Sequence, residues 1–158
     1  MTKLSQLLEQ YVRVEKDPEN LTVADGEAGR GIYFSLSKYP GMVDYYKRGS
    51  QEGHRIIKAT PKPSTNIVDL SSGENNRELI KFMKSEIEAL RQRMAGYIPP
   101  RISGGNYQRF GRIIQDFIRQ KFPTADAYIV NHQADGTDLP KGKQLVIINE
   151  PSFSYTEL

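Results

Sequence analysis

Apolar residues along this chain recur with two periods, and the switches between them divide it into elements. The longest helical signal starts near Ser72. Leu79, Ile80, Met83, Ile87, Leu90 and Met94 follow at intervals of three and four, which lays one apolar stripe along a helix. This predicts a helix over residues 75–94, ended by Tyr97-Ile98-Pro99-Pro100. Beyond the turn at Ser103-Gly104-Gly105, Phe110, Ile113, Ile114, Phe117 and Ile118 predict a second helix over residues 106–121. Arg109, Arg112, Arg119 and Lys121 fall off its apolar face. Both helices read first as core-packing elements and only second as a surface for a target. Shorter helices are expected over residues 2–10, from Leu4, Leu7 and Leu8, and over residues 42–47, ended by Gly49.

Period-two and continuous apolar runs predict the strands. They are Tyr11-Val12-Arg13-Val14, the run from Gly29 to Leu36, His54 to Thr60, and Asn66 to Leu70. Two more close the chain: Ala127-Tyr128-Ile129-Val130 and Gln144-Leu145-Val146-Ile147-Ile148. The last is apolar on both faces after Gln144, so it belongs at the centre of a sheet. Ala24-Asp25-Gly26-Glu27 reads as a loop, and the polar stretch 134–142 as another. The pattern is that of an α+β protein.

Its 158 residues suit a single domain, 1–158, large enough to bury a core. With no cysteine, disulfides and thiolate metal sites are excluded. His54 and His132 are too isolated to make a zinc site. No apolar run approaches the ~18 residues of a membrane helix and no leader pattern opens the chain, so the expectation is a cytoplasmic protein with no membrane partner. An effector domain cut from a longer secreted chain would read the same way. The 22 basic and 19 acidic residues are interleaved, so the net charge of +3 does not decide between an anionic partner and a solvated surface.

The stretch Gly29-Arg30-Gly31-Ile32-Tyr33-Phe34-Ser35-Leu36-Ser37-Lys38 is the most informative. Glycines around a basic residue either form a tight turn into a core strand or let a ligand approach the main chain. Tyr33, with Tyr45 or Tyr46 about a dozen residues on, supplies ring faces for a flat ligand. The stretch resembles the Gly-Lys-Gly-Ile-Tyr-Phe…Ser-Lys…Tyr block of the ADP-ribosyltransferase superfamily, which includes poly(ADP-ribose) polymerases and diphtheria-toxin-like enzymes. The resemblance extends to the end of the chain. Asp126-Ala127-Tyr128-Ile129-Val130 and Gly142-Lys143-Gln144-Leu145-Val146-Ile147-Ile148-Asn149-Glu150-Pro151 are similar to the family's closing strand pair.

That resemblance implies a split, curved β-sheet with NAD, the co-substrate, in its cleft. Tyr33 and Tyr45 or Tyr46 would border the nicotinamide, and Gly31 would belong to the cofactor site. Ser35 or Ser37 would either bond the nicotinamide amide or simply satisfy the backbone near the strand end. The family's polymerase-like branch carries a His on the first strand, and here no His precedes His54. The arginine branch carries an Arg, and Arg13 is the match, either holding NAD by a bidentate fork or lying on the surface. The family's catalytic Glu falls on Gln144, a departure at the central position. Glu150 would lie ~20 Å further along a continuing strand, too far to replace it.

Glycosidic cleavage of NAD builds an oxocarbenium-like charge, which a carboxylate at position 144 would stabilise. Gln can hydrogen-bond a ribose hydroxyl but brings no charge. Three explanations stand side by side: a less demanding reaction, an inactive relative that binds, or an engineered Glu→Gln change. The expected function is mono-ADP-ribosyl transfer to a macromolecule, protein or nucleic acid, in a toxin or effector that an antitoxin or immunity protein would restrain. The alternative is an inactive binding module of the same fold, engaging a nucleotide, nucleic acid or protein.

Overall fold

The computed structural model describes residues 10–15, 21–26, 28–37, 55–93, 106–132 and 142–158. The expected helices over 2–10, apart from Gln10, and over 42–47, with Tyr45 and Tyr46, lie outside them, as do His54 and the expected loop over 134–142, apart from Gly142. The strands are β1 (Tyr11–Glu15), β2 (Ala24–Gly26), β3 (Gly29–Leu36), β4 (Arg55–Pro61), β5 (Ile67–Asp69), β6 (Ala127–His132), β7 (Gly142–Ile147) and β8 (Phe153–Glu157). Two helices, α1 (Gly73–Arg93) and α2 (Asn106–Lys121), stand between β5 and β6. The chain is α+β.

The strands join in the order β5-β6-β7-β3-β1-β4-β8, with β2 paired to the start of β3. β7 lies between β6 and β3, as its two apolar faces require. The parallel pair β5–β6 needs a long crossover, and α1 with α2 supplies it. Polar residues lock the entry to that crossover. The Asp69 carboxylate accepts the Ser71 N–H at 2.8 Å, while the Asn75 and Asn76 amides donate to the carbonyls of Asp69 and Leu70.

Each face of the sheet has its own core. On one, Val68, Tyr128, Val130 and Val146 meet Leu79 of α1 and Ile114, Phe117 and Ile118 of α2. Ile80, read from its spacing as part of the α1 stripe, is instead 44% exposed, and Phe82 takes the inward place against Phe117 at 5.4 Å between ring centroids. On the other face, Ile32, Phe34, Leu36, Ile57, Ala59, Leu145, Ile147 and Phe153 pack together with no helix of the described residues among them. Curvature explains that. Phe34 of β3 and Tyr155 of β8 stack at 6.0 Å, although flat strands three places apart would be separated by ~14 Å. The sheet therefore curls around this second core.

Two elements differ from the sequence reading. Residues 24–26 form β2 rather than a loop, because Gly29, at φ 108, turns the chain back into a hairpin. After β7 the chain does not run on through Glu150. A 3-10 turn, Glu150–Ser152, redirects it into β8, an edge strand that Pro151 obscures in the sequence. The Ser152 carbonyl accepts from Lys62 N (2.9 Å) and Thr65 Oγ1 (2.7 Å), tying the two ends of the curled sheet.

Candidate functional site

The strands that carry most of the singled-out residues, β1, β3 and β7, are neighbours at the middle of the sheet. Ser35 pairs directly with Gln144 on one side and with Val12 on the other. Residues paired across strands share a face. One row therefore crosses six strands: Val130, Gln144, Ser35, Val12, Lys58 and Thr156. Gln144 is 4% exposed and Ser35 5%, so two polar side chains sit together in a nearly dry place. Such burial is costly unless the groups have partners, and it marks the pair as the polar centre of this face.

Lys58 and Thr156 are members of the row that sequence reasoning did not pick out. Lys58 is half-buried, and its side chain makes no hydrogen bond or ion pair among the described residues. Alternation with Ile57 and Ala59 separates Lys58 from the second core. Only the register, which no local pattern contains, aligns it with Gln144.

Tyr33 lies on the same face, two positions before Ser35 and opposite Val146. Its hydroxyl donates to the Gly29 carbonyl at 2.6 Å and accepts the Ala28 N–H at 3.1 Å. The ring end is thus directed to the β2–β3 hairpin, away from the Ser35–Gln144 pair. Tyr128 joins it, donating from its buried hydroxyl to the Ala28 carbonyl. Burial, with Tyr33 beside it, pushes the Tyr128 pKa above the ordinary tyrosine range. Two tyrosines hold one turn.

Arg13 occupies the other face. It pairs with Ile57 in β4, while its neighbour Val12 belongs to the polar row. Its Nε donates to Glu15 Oε2 at 2.9 Å, and Nη1 donates to the Tyr33 carbonyl at 3.1 Å. Glu15, buried, also accepts from Thr22 Oγ1 at 3.2 Å. The β1–β3 register runs only through Tyr11–Leu36 and Val12–Ser35, and the guanidinium spans the strands just beyond it. Convergence of Arg13 with Tyr33 and Gln144 in one concave site is not what the fold brings about.

The remaining residues have local tasks. A Cβ on Gly31 would meet Val146 Cγ1 at 2.6 Å and the Ile147 carbonyl oxygen at 2.7 Å, so glycine is what lets β7 approach β3 this closely. Ser37 closes the strand end: its Oγ accepts the Gln10 N–H and its own N–H donates to the Gln10 carbonyl, both at 2.8 Å. Among the described residues, no group of His, Cys, Asp and Glu is arranged to hold a metal ion, and no helix is long and apolar enough to cross a membrane. No protein-family model, no curated protein and no solved structure matches the chain.

Proposed function

We propose that this chain is an ADP-ribosyltransferase-like domain that binds NAD and transfers ADP-ribose to a macromolecule, releasing nicotinamide. The observation that carries the reading is the direct pairing of Ser35 with Gln144 at the centre of the sheet. Two motifs far apart in sequence, each resembling a part of that family, meet at one buried polar spot. In this reading the Gln144 amide contacts a ribose hydroxyl and Ser35 lies beside it. Lys58, on the same row, offers a positive charge that suits an anionic ligand. Tyr33 keeps the hairpin in shape, and Arg13 fixes the point where β1 and β3 part.

Gln144 favours a second reading, a domain that binds NAD or a related nucleotide without turning it over. An amide in place of a carboxylate removes the charge that would stabilise an oxocarbenium-like transition state, a loss worth ~10²–10³ in rate. Incubation with NAD, with and without Gln144→Glu, separates the readings. Nicotinamide release that rises in the Glu form supports the transferase. Binding without release in either form supports the silent module, and no binding in either rejects both.

A further inference from the structure

A cleft lies at the other end of β3 from Gln144. The β2–β3 hairpin rests against α2, and between them is a cleft of about 110 Å³ lined by Asp25, Gly26, Gly29, Arg30, Arg112 and Gln115. Arg30 precedes Ser35 by ~16 Å of extended strand, so the cleft is separate from the polar row.

Its floor is rigidly built. A Cβ on Gly29 would stand 2.6 Å from the Tyr128 hydroxyl and 3.1 Å from the Gly111 carbonyl oxygen, so the hairpin sits directly on the helix backbone. Gln115 Oε1 accepts the Arg30 N–H at 3.1 Å, and the hydroxyls of Tyr33 and Tyr128 fix Ala28 and Gly29 from beneath. On this floor stand two guanidiniums. Arg30 reaches Asp25 through Nη1 at 3.1 Å, in a pair that is mostly exposed. Arg112 is exposed, and its side chain makes no hydrogen bond or ion pair among the described residues.

We propose that this cleft seats one phosphodiester group of a single-stranded nucleic acid. Two arginines against one aspartate leave one net positive charge, which matches the single negative charge of a phosphodiester. Guanidiniums held on two different elements can each take a non-bridging oxygen of a tetrahedral group, whereas one fork alone satisfies a planar carboxylate. The cleft is small enough to take one such group, and a flexible strand can bring a phosphate down into it. Binding here does not depend on the transferase reading; use of the cleft to hold an acceptor strand does rest on it.

The test is fluorescence anisotropy with a labelled mixed-sequence single-stranded oligonucleotide, as DNA and as RNA, titrated with the full chain over a range of NaCl concentrations and without NAD. Arg112→Gln removes no side-chain hydrogen bond among the described residues, and thermal melting checks that it folds. We expect it to weaken binding about tenfold at low salt and to lower the slope of log K against log salt by ~0.7, the amount for one lost contact to a single strand. Arg112→Lys should keep most of that slope, because the charge remains. Unchanged affinity and slope in Arg112→Gln, or no binding by the wild-type chain, would overturn the proposal. So would equal competition by poly-glutamate, which would make the cleft a carboxylate site. Nicotinamide release measured separately reports on the transferase reading alone.

Discussion

Ser35 and Gln144 face each other across the central ladder of the sheet, directly in register and both almost fully buried. The neighbours of that pair along the row are Val130 on one side and Val12 on the other, so the two polar side chains are bracketed by apolar ones. A buried polar pair between β-branched residues adds little to packing that two valines would not add. Its chemistry is the better reason for its presence, and that can be tested.

Gln144→Glu should raise nicotinamide release from NAD by at least ~10²-fold, with little change in NAD affinity by thermal-shift titration. The pH dependence follows from burial. A carboxyl at this dry position would have its pKa raised above the ordinary glutamate value of ~4.3. The gain in rate should therefore grow with pH as the carboxylate forms. The stability of the variant relative to wild type should fall over the same interval, because its folded state binds the proton more tightly than its unfolded state. A rate independent of this substitution, in a folded variant, would remove position 144 from the chemistry.

Tyr33→Phe should cost about 1–2 kcal/mol in chemical denaturation, because the Ala28 N–H loses its acceptor and the Gly29 carbonyl a donor. NAD affinity should barely move, since the hydroxyl is taken up by the hairpin. A large loss of NAD binding with unchanged stability would instead give the hydroxyl a ligand contact.

Ile147→Asp should unfold the chain or destabilise it by ~4–5 kcal/mol or more, as a lone carboxylate in the inner core has nothing to offset its desolvation. Circular dichroism and a denaturant titration read the outcome. A cooperatively folded variant of near wild-type stability would mean that β7 is not buried on both faces.

Asp126 accepts the Asn66 N–H at 2.8 Å and the Asn149 side-chain amide at 3.0 Å, and so joins three connecting segments. The Asn66 bond is the larger cause that holds its pKa below the ordinary 3.8. A depressed acid stabilises the fold above its unfolded pKa and loses that contribution as pH falls through the folded value. Melting temperature should thus drop below about pH 4 more steeply in wild type than in Asp126→Asn. Because the carboxylate is largely solvated the difference will be modest, and parallel curves would show that these bonds do not distinguish its charged form.

The elements with strong local patterns were readable: α1 and α2 from their stripes, and β7 from its run of apolar residues. What could not be read was relational. Arg13 and Val12 are adjacent in sequence, yet only pairing with β3 and β4 tells which of them shares a face with Gln144. Lys58 was invisible for the same reason. β2 carries no apolar alternation and exists because Gly29 folds it onto β3, while Phe153-Ser154-Tyr155-Thr156-Glu157 alternates in plain view but follows a proline that suggests a loop. Residues whose meaning depends on distant partners need the fold before they can be interpreted.

The central place of β7 also bears on synthesis. Ribosomal emergence follows sequence order, yet the strand that fills the place between β3 and β6 emerges after both of them. Until residues 142–147 are released, β3 and β6 have no partner between them, and neither core can close. Non-local pairing of this kind is slow, because the loop entropy is lost before contacts compensate. Ser35 gains its buried neighbour only then, so a nascent chain that has not yet released residues 142–147 holds no assembled polar centre.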